Sequence, residues 1–89
     1  MKNSNGVFSF VPLDSIGIKE KIDLIKIDVE GAEIDVLMGA LKTLKKNKPL
    51  VVIESFTNKA VIDTIFTELG YKQIDTIRQG EDYVYKYVG

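Results

Sequence analysis

The 89 residues contain no cysteine and no histidine. The first absence removes disulfides and thiolate chemistry. The second removes the commonest general base and the commonest zinc ligand. Acid–base or metal chemistry must therefore come from carboxylates, lysine, tyrosine or backbone groups. Charge of one sign is also missing: the net charge is −1 and the pI is about 5.3. That balance carries no electrostatic footprint for nucleic acid. No apolar run approaches the ~20 residues of a membrane helix. The start, "MKNSNGVFSF", lacks the apolar core and cleavage pattern of a signal peptide, so a cytoplasmic location is the expectation.

What is present is ordinary for a small globular domain. The hydrophobic fraction is 45 % and the charged fraction 28 %. A chain this short buries only about 60 % of its unfolded surface, so its stability is marginal without help. Residues 1–10 read as a flexible or extended N-terminal segment. "FSFVPLDSIG" reads as a short strand or extended lead-in followed by a turn. In "KIDLIKIDV", Leu24, Ile25, Ile27 and Val29 form the nearly continuous branched run of a strand covered on both faces.

From Ala32 the apolar period changes to that of a helix, through Ile34, Leu37, Leu41 and Leu44. Glu33 and Asp35 fall in its first turn and Lys42, Lys45, Lys46 and Lys48 at its end, both as the helix dipole favours. Asn47 and Pro49 stop it. "PLVVIES" is a second buried strand. "NKAVIDTIFTELG" is a second helix, with Asn58 as cap and Gly70 just past its end. "YKQIDTI" and "DYVYKYV", joined by "RQGE", read as an antiparallel hairpin. The fold class is α/β: about four strands and two helices, the first two strands parallel through a right-handed crossover.

The acidic block "KIDVEGAE" stands where the first buried strand ends. In open α/β sheets ligands bind beyond the carboxyl ends of the strands. Asp28 and Glu30 lie at that end of the first strand and Glu54 at that end of the second. A carboxylate there can orient an acceptor hydroxyl or take its proton. Oxygen ligands at Asp28 and Glu54 would also suit a hard cation such as Mg²⁺. Helix-start carboxylates have a plainer use, since each is stabilising by about 0.3–1 kcal/mol against the dipole. That use accounts for Glu33 and Asp35; for Asp28 the two readings balance. Glu54 leans to the functional one. Gly31 reads as a backbone requirement for the tight passage from strand to helix. The lysines read as a solvated helix end. Tyr83, Tyr85 and Tyr87 read as half-buried hairpin residues rather than a base-stacking platform. Lys26, on the first strand, can pack its stem while its amine reaches water or a carboxylate.

The pair Leu13-Asp14, the block Lys26 to Glu33 and the strand Pro49 to Glu54 resemble the C-terminal half of an FkbM-type methyltransferase. These are class I, S-adenosylmethionine-dependent enzymes with a Rossmann-like sheet. The resemblance runs from Val11 over nearly all the chain and implies that residues 11–89 are one half of such a domain. It implies a spatial strand order of first, second, last, third, with the last strand reversed. It also implies three further strands and their helices before this half, with a glycine-rich loop for the cofactor's methionine part and an acidic residue for its ribose. No G-x-G pattern follows a strand here.

The function implied is the acceptor-side part of a methyltransferase, with O-methyl transfer in the complete enzyme. Asp28, Glu30 and Glu54 are its candidate catalytic residues. The cofactor, S-adenosyl-L-methionine, is not expected to be held by this chain alone, which should be inactive by itself. The alternatives are a non-catalytic remnant acting as an oligomerising interaction module, and a carboxylate cation-binding domain. The expected partners are a second copy of the chain, through the strand Leu24 to Val29, or a missing N-terminal half; nucleic acid and membrane are not expected.

Overall fold

A computed structural model of the chain describes residues 12–28, 31–55, 57–77, 79 and 81–89. A 3-10 turn, Leu13–Ser15, comes first, followed by β1 (Leu24–Ile27), α1 (Glu33–Met38), α2 (Leu41–Asn47), β2 (Leu50–Glu54), α3 (Lys59–Glu68), β3 (Tyr71–Ile77) and β4 (Asp82–Tyr87). The expectations for residues 1–10 lie outside the described residues.

The four strands make one sheet in the order β1-β2-β4-β3. β1 and β2 are parallel, while β4 runs antiparallel to both of its neighbours. The expected order, parallel pair and terminal hairpin are thus all present. Opposed residues of a ladder share a face. Ile25 and Val51, Ile27 and Ile53, Val51 and Tyr85, and Ile53 and Tyr83 are such pairs, so one face of the sheet is apolar from β1 to β4. Leu37 of α1, Leu44 of α2, and Ile62 and Phe66 of α3 close onto it as a single core. Each fully buried aliphatic or aromatic side chain there contributes about 1.5–3 kcal/mol. The Phe66 ring stacks on Tyr85 with centroids 4.1 Å apart, so the tyrosine row is part of the core and its rim.

Two expectations need correction. The first is the covering of β1 on both faces. Ile27 is buried, but Leu24 is 60 % exposed and Lys26 is exposed. The described helices contribute to the core on the other face, and β1 ends the sheet order, so among the described residues nothing supplies the second layer the apolar run anticipates.

The second is the helix count. The described residues form three α-helices where two were expected, because the apolar stripe from Ile34 to Leu44 is cut at Gly39 and Ala40. The cause is a contact from far away in the chain. The Asp14 amide donates to the Gly39 carbonyl at 2.9 Å, taking an acceptor that a continuous helix would use internally. The Asp14 carboxylate then accepts from the amides of Lys42 (3.0 Å) and Thr43 (2.8 Å) and from the Thr43 hydroxyl (2.8 Å). It caps a new helix start from outside that helix. Gly39 also permits the approach: a Cβ there would lie 3.0 Å from the Pro12 Cβ.

Other punctuation is as expected. Gly31 has φ +82° between β1 and α1, and Gly70 has φ +86° after α3. Both angles favour glycine, which has no Cβ to clash. Asn58 does stand at the start of α3, but its side chain caps nothing there and turns to Glu33 instead.

Candidate active site

Because β1 and β2 are parallel and Ile27 stands opposite Ile53, Asp28 and Glu54 leave their strands at the same end of the sheet. Asp28 is exposed and borders a cleft of about 530 Å³. Ile16, Ile25, Ile27 and Val36 give the cleft its apolar wall, and Asp28 and Asp35 bring carboxylates to it. The volume falls within the range of small-molecule sites, roughly 300–1,000 Å³, which are mostly apolar with a few placed polar groups. The local chain path explains the position of Asp28. The strand stops, Gly31 has positive φ, and α1 begins at Glu33.

The remaining candidates are distributed differently. Glu54 is the last residue of β2, half-buried, opposite Asp82 of β4. It is not among the described residues that wall the cleft. Glu30 lies outside the described residues. Asp35, which helix-dipole reasoning accounted for, is in the first turn of α1 as expected, yet it also lines the cleft. Among the described residues no group of three or more acidic side chains could hold a metal ion.

Sequence reasoning missed the role of Glu33. It stands in the first turn of α1, as the dipole argument expects, but it is only 2 % exposed. Its Oε1 accepts a long hydrogen bond of 3.4 Å from the Asn58 side-chain amide, and its Oε2 has no hydrogen-bond partner among the described residues. The hydroxyl oxygen of buried Ser55 accepts from the backbone N–H of Asn58 at 3.2 Å. A carboxylate withdrawn from water with one oxygen unpaired is costly. No local signal reveals this, because a glutamate in the first turn of a helix looks the same whether it faces water or the protein.

A second polar cluster serves structure. Lys59 of α3 reaches both carboxylate oxygens of Asp63 at 2.7 Å and the Gln73 side-chain oxygen at 2.7 Å, with its ammonium 4.7 Å from the Tyr83 ring centre. The Tyr85 hydroxyl donates to Asp63. Burial would raise the Asp63 pKa, but the hydrogen bonds from Lys59 and Tyr85 and the Lys59 charge outweigh it and hold the carboxyl below its usual value. Asp14 is also held low. Burial opposes ionisation there, and the α2 amides, the Thr43 hydroxyl and the Lys42 charge prevail.

A parallel pair followed by a reversed final strand, with a carboxylate at the first strand end beside an apolar cleft, is the arrangement the sequence motifs imply. The family description "Methyltransferase FkbM domain" matches residues 9–85. The chain belongs to the FkbM methyltransferase domain family. No curated protein and no solved structure matches it. In this FkbM-family chain the block Lys26 to Glu33 divides its work. Asp28 borders the cleft, Gly31 makes the turn, and Glu33 goes inside. The Leu13-Asp14 pair is structural, since its aspartate caps α2.

Proposed function

We propose that this chain is the C-terminal, acceptor-side part of an S-adenosylmethionine-dependent methyltransferase, acting on a hydroxyl oxygen in the complete enzyme. The observation that carries the reading is Asp28, exposed at the end of β1 on the rim of an apolar cleft. Family membership supports methyl transfer, and a carboxylate at the cleft is a group able to take the proton of an acceptor hydroxyl. S-adenosylmethionine supplies an electrophilic methyl group. Asp28 would take the proton of the acceptor hydroxyl, leaving its own carboxyl protonated and the methylated product neutral. Asp35, which also lines the cleft, would supply a negative charge able to offset the cofactor's cationic sulfonium. Glu54, the last residue of β2, puts a further carboxylate at the same end of the sheet. Positioning of acceptor against methyl supplies most of the rate, as in any in-line transfer between bound groups.

The residues fit only one side of the cofactor. An apolar wall with carboxylates suits the methyl and sulfonium region and an acceptor hydroxyl. The methionine carboxylate needs a close approach of backbone amides, which a glycine-rich turn after a strand provides. These 89 residues hold no G-x-G after any strand. The chain alone is therefore expected to bind the cofactor weakly or not at all, and to transfer no methyl. Calorimetric titration with S-adenosylmethionine tests this division of labour. No saturable heat is expected from the chain alone, with saturable binding once a glycine-rich N-terminal half is fused to it. A low-micromolar dissociation constant for the chain alone would overturn the reading.

A further inference from the structure

The strand directions give the molecule two ends of opposite charge. β1, β2 and β3 all start at one end, and antiparallel β4 finishes there. Six exposed lysines gather at that end. Lys45 and Lys46 are in the last turn of α2 and Lys48 caps it, just before β2. Lys72 is the second residue of β3, Lys86 the last but one of β4, and Lys21 precedes β1. The Ile22 amide donates to the Asn47 side-chain oxygen at 3.1 Å, which fixes the approach to β1 against the end of α2. The Lys48 ammonium lies 5.0 Å from the Tyr87 ring centre and so joins the helix end to the hairpin. The side-chain carboxylates of this end are Glu20 and Asp23, before β1, and Glu68, at the end of α3. Asp28, Glu33, Asp35, Glu54 and Asp82 lie at the other end. The net charge of −1 hides this separation.

Two features set the lysine end apart from a solvated helix terminus. Lys72 stands directly opposite Lys86 in the β3–β4 ladder. Like charges so placed are destabilising, and among the described residues none of the six lysines is in an ion pair. The second feature is apolar. Val88, two residues after Lys86, is 60 % exposed. Ile18, 41 % exposed, borders a hollow of about 160 Å³ lined also by Lys42 and Lys46. Lys72 and Lys86 are distant in the chain from the helix lysines, so only the folded sheet assembles the cluster.

We infer that this lysine end attaches peripherally to an anionic phospholipid surface. Complementary charge selects the occupant, and clusters of about 4–8 basic residues suit such a surface. The chemistry of the cluster separates lipid from nucleic acid. All six residues are lysines, compact charges suited to a diffuse anionic layer; none is the forked guanidinium that reads phosphates and bases. The Tyr87 ring, beside Lys86, is not free to stack on a base, because Lys48 lies over it and the Tyr71 ring meets it edge-on at 5.8 Å. Exposed Val88 and Ile18 can enter the boundary of headgroups and acyl chains. This replaces the expectation of no membrane contact with contact at the surface, since no described helix is long and apolar enough to cross a membrane. Attachment here leaves Asp28 and the carboxyl ends of β1 and β2 facing away from the lipid.

Co-sedimentation of the 89-residue chain with vesicles is the test, and it reads attachment independently of any methyl transfer. Binding is expected to vesicles of phosphatidylserine mixed with phosphatidylcholine and not to phosphatidylcholine alone. Each lysine at such a surface is worth about fivefold in partitioning, so Lys72→Gln/Lys86→Gln and Lys45→Gln/Lys46→Gln should each lower binding by about twenty-fold. Lys72→Arg/Lys86→Arg keeps the charge and should bind as wild type does. Ile18→Ser/Val88→Ser should weaken binding severalfold. All these side chains are exposed, so circular dichroism should show the variants folded. Raising the ionic strength from about 0.01 M to about 1 M shortens the screening length from about 30 Å to about 3 Å and should release the chain. A wild-type chain that ignores the anionic vesicles at low salt overturns the inference. So does binding indifferent to both glutamine pairs or to the serine pair. Tighter capture by duplex DNA than by the vesicles overturns it too and assigns this end to nucleic acid.

Discussion

Replacing Asp14 with alanine removes three hydrogen bonds from a single carboxylate: those from the Lys42 amide, the Thr43 amide and the Thr43 hydroxyl. Losing an N-cap side chain costs typically ~1 kcal/mol, with a range of about 0.5–2. Hydrogen bonds to a charged group run higher, at about 1.5–3 kcal/mol. The cap is partly exposed, so water recovers some of this, and about 2 kcal/mol is the expected loss for Asp14→Ala. A domain of this size has a total stability of order 5–10 kcal/mol, so the loss is large. Thermal unfolding should show a Tm lower by roughly 10 °C.

Asp14→Asn separates shape from charge. Asparagine caps about as well as aspartate, so the loss near neutral pH should be smaller, about 1 kcal/mol. The folded pKa of Asp14 lies below its ordinary value of 3.8. Its ionic contribution is therefore present above pH 3.8 and lost as pH falls through the lower folded value. The gap between wild type and Asp14→Asn should close in acid. Urea unfolding at neutral pH and in acid reads both effects. An alanine variant within about 0.5 kcal/mol of wild type would refute the cap. A wild-type-to-asparagine gap that persists unchanged in acid would refute its charge.

Two further perturbations probe the interior. Glu33→Gln keeps the shape of a buried side chain whose Oε2 has no hydrogen-bond partner among the described residues, and should be neutral or stabilising by about 1 kcal/mol in urea unfolding. A loss beyond about 2 kcal/mol would mean that the carboxylate is better satisfied than its geometry shows. Burial, with a contribution from Tyr87, pushes the Tyr71 phenol up to about 12, and burial and Asp63 push Tyr85 higher. Tyr71 therefore contributes stability that is whole below pH 10 and lost as pH rises through about 12. Ultraviolet titration should show fewer phenolates than the four tyrosines until the fold opens. Full ionisation of all four near pH 10 with the fold intact would contradict this burial.

Most of the architecture is legible in local signals. The branched run at Leu24 to Ile27, the periodicity of α3, and the positive-φ demands at Gly31 and Gly70 each act over a few residues. What local reading misses is set by distant contacts. α1 and α2 are separate because Asp14, 28 residues before Lys42, caps the second of them. β1 carries a run suited to two covered faces, yet Leu24 is left exposed because its neighbours within the described residues cover one side. The site shows the same division. Asp28 follows from a strand end and reaches the cleft, whereas Glu33, two residues past the turning glycine, is recognised as buried only once α3 brings Asn58 against it.

The most direct measurement is radiolabelled methyl transfer by this chain fused to a glycine-rich N-terminal half of an FkbM methyltransferase, with and without Asp28→Asn. The exposed position of Asp28 means that the variant should fold as wild type does. Loss of a general base costs typically 10²–10⁴-fold, so kcat should fall by about that factor while cofactor affinity, read by calorimetry, stays the same. Unimpaired transfer by the Asp28→Asn fusion, with the cofactor bound normally, would contradict the acceptor-side assignment.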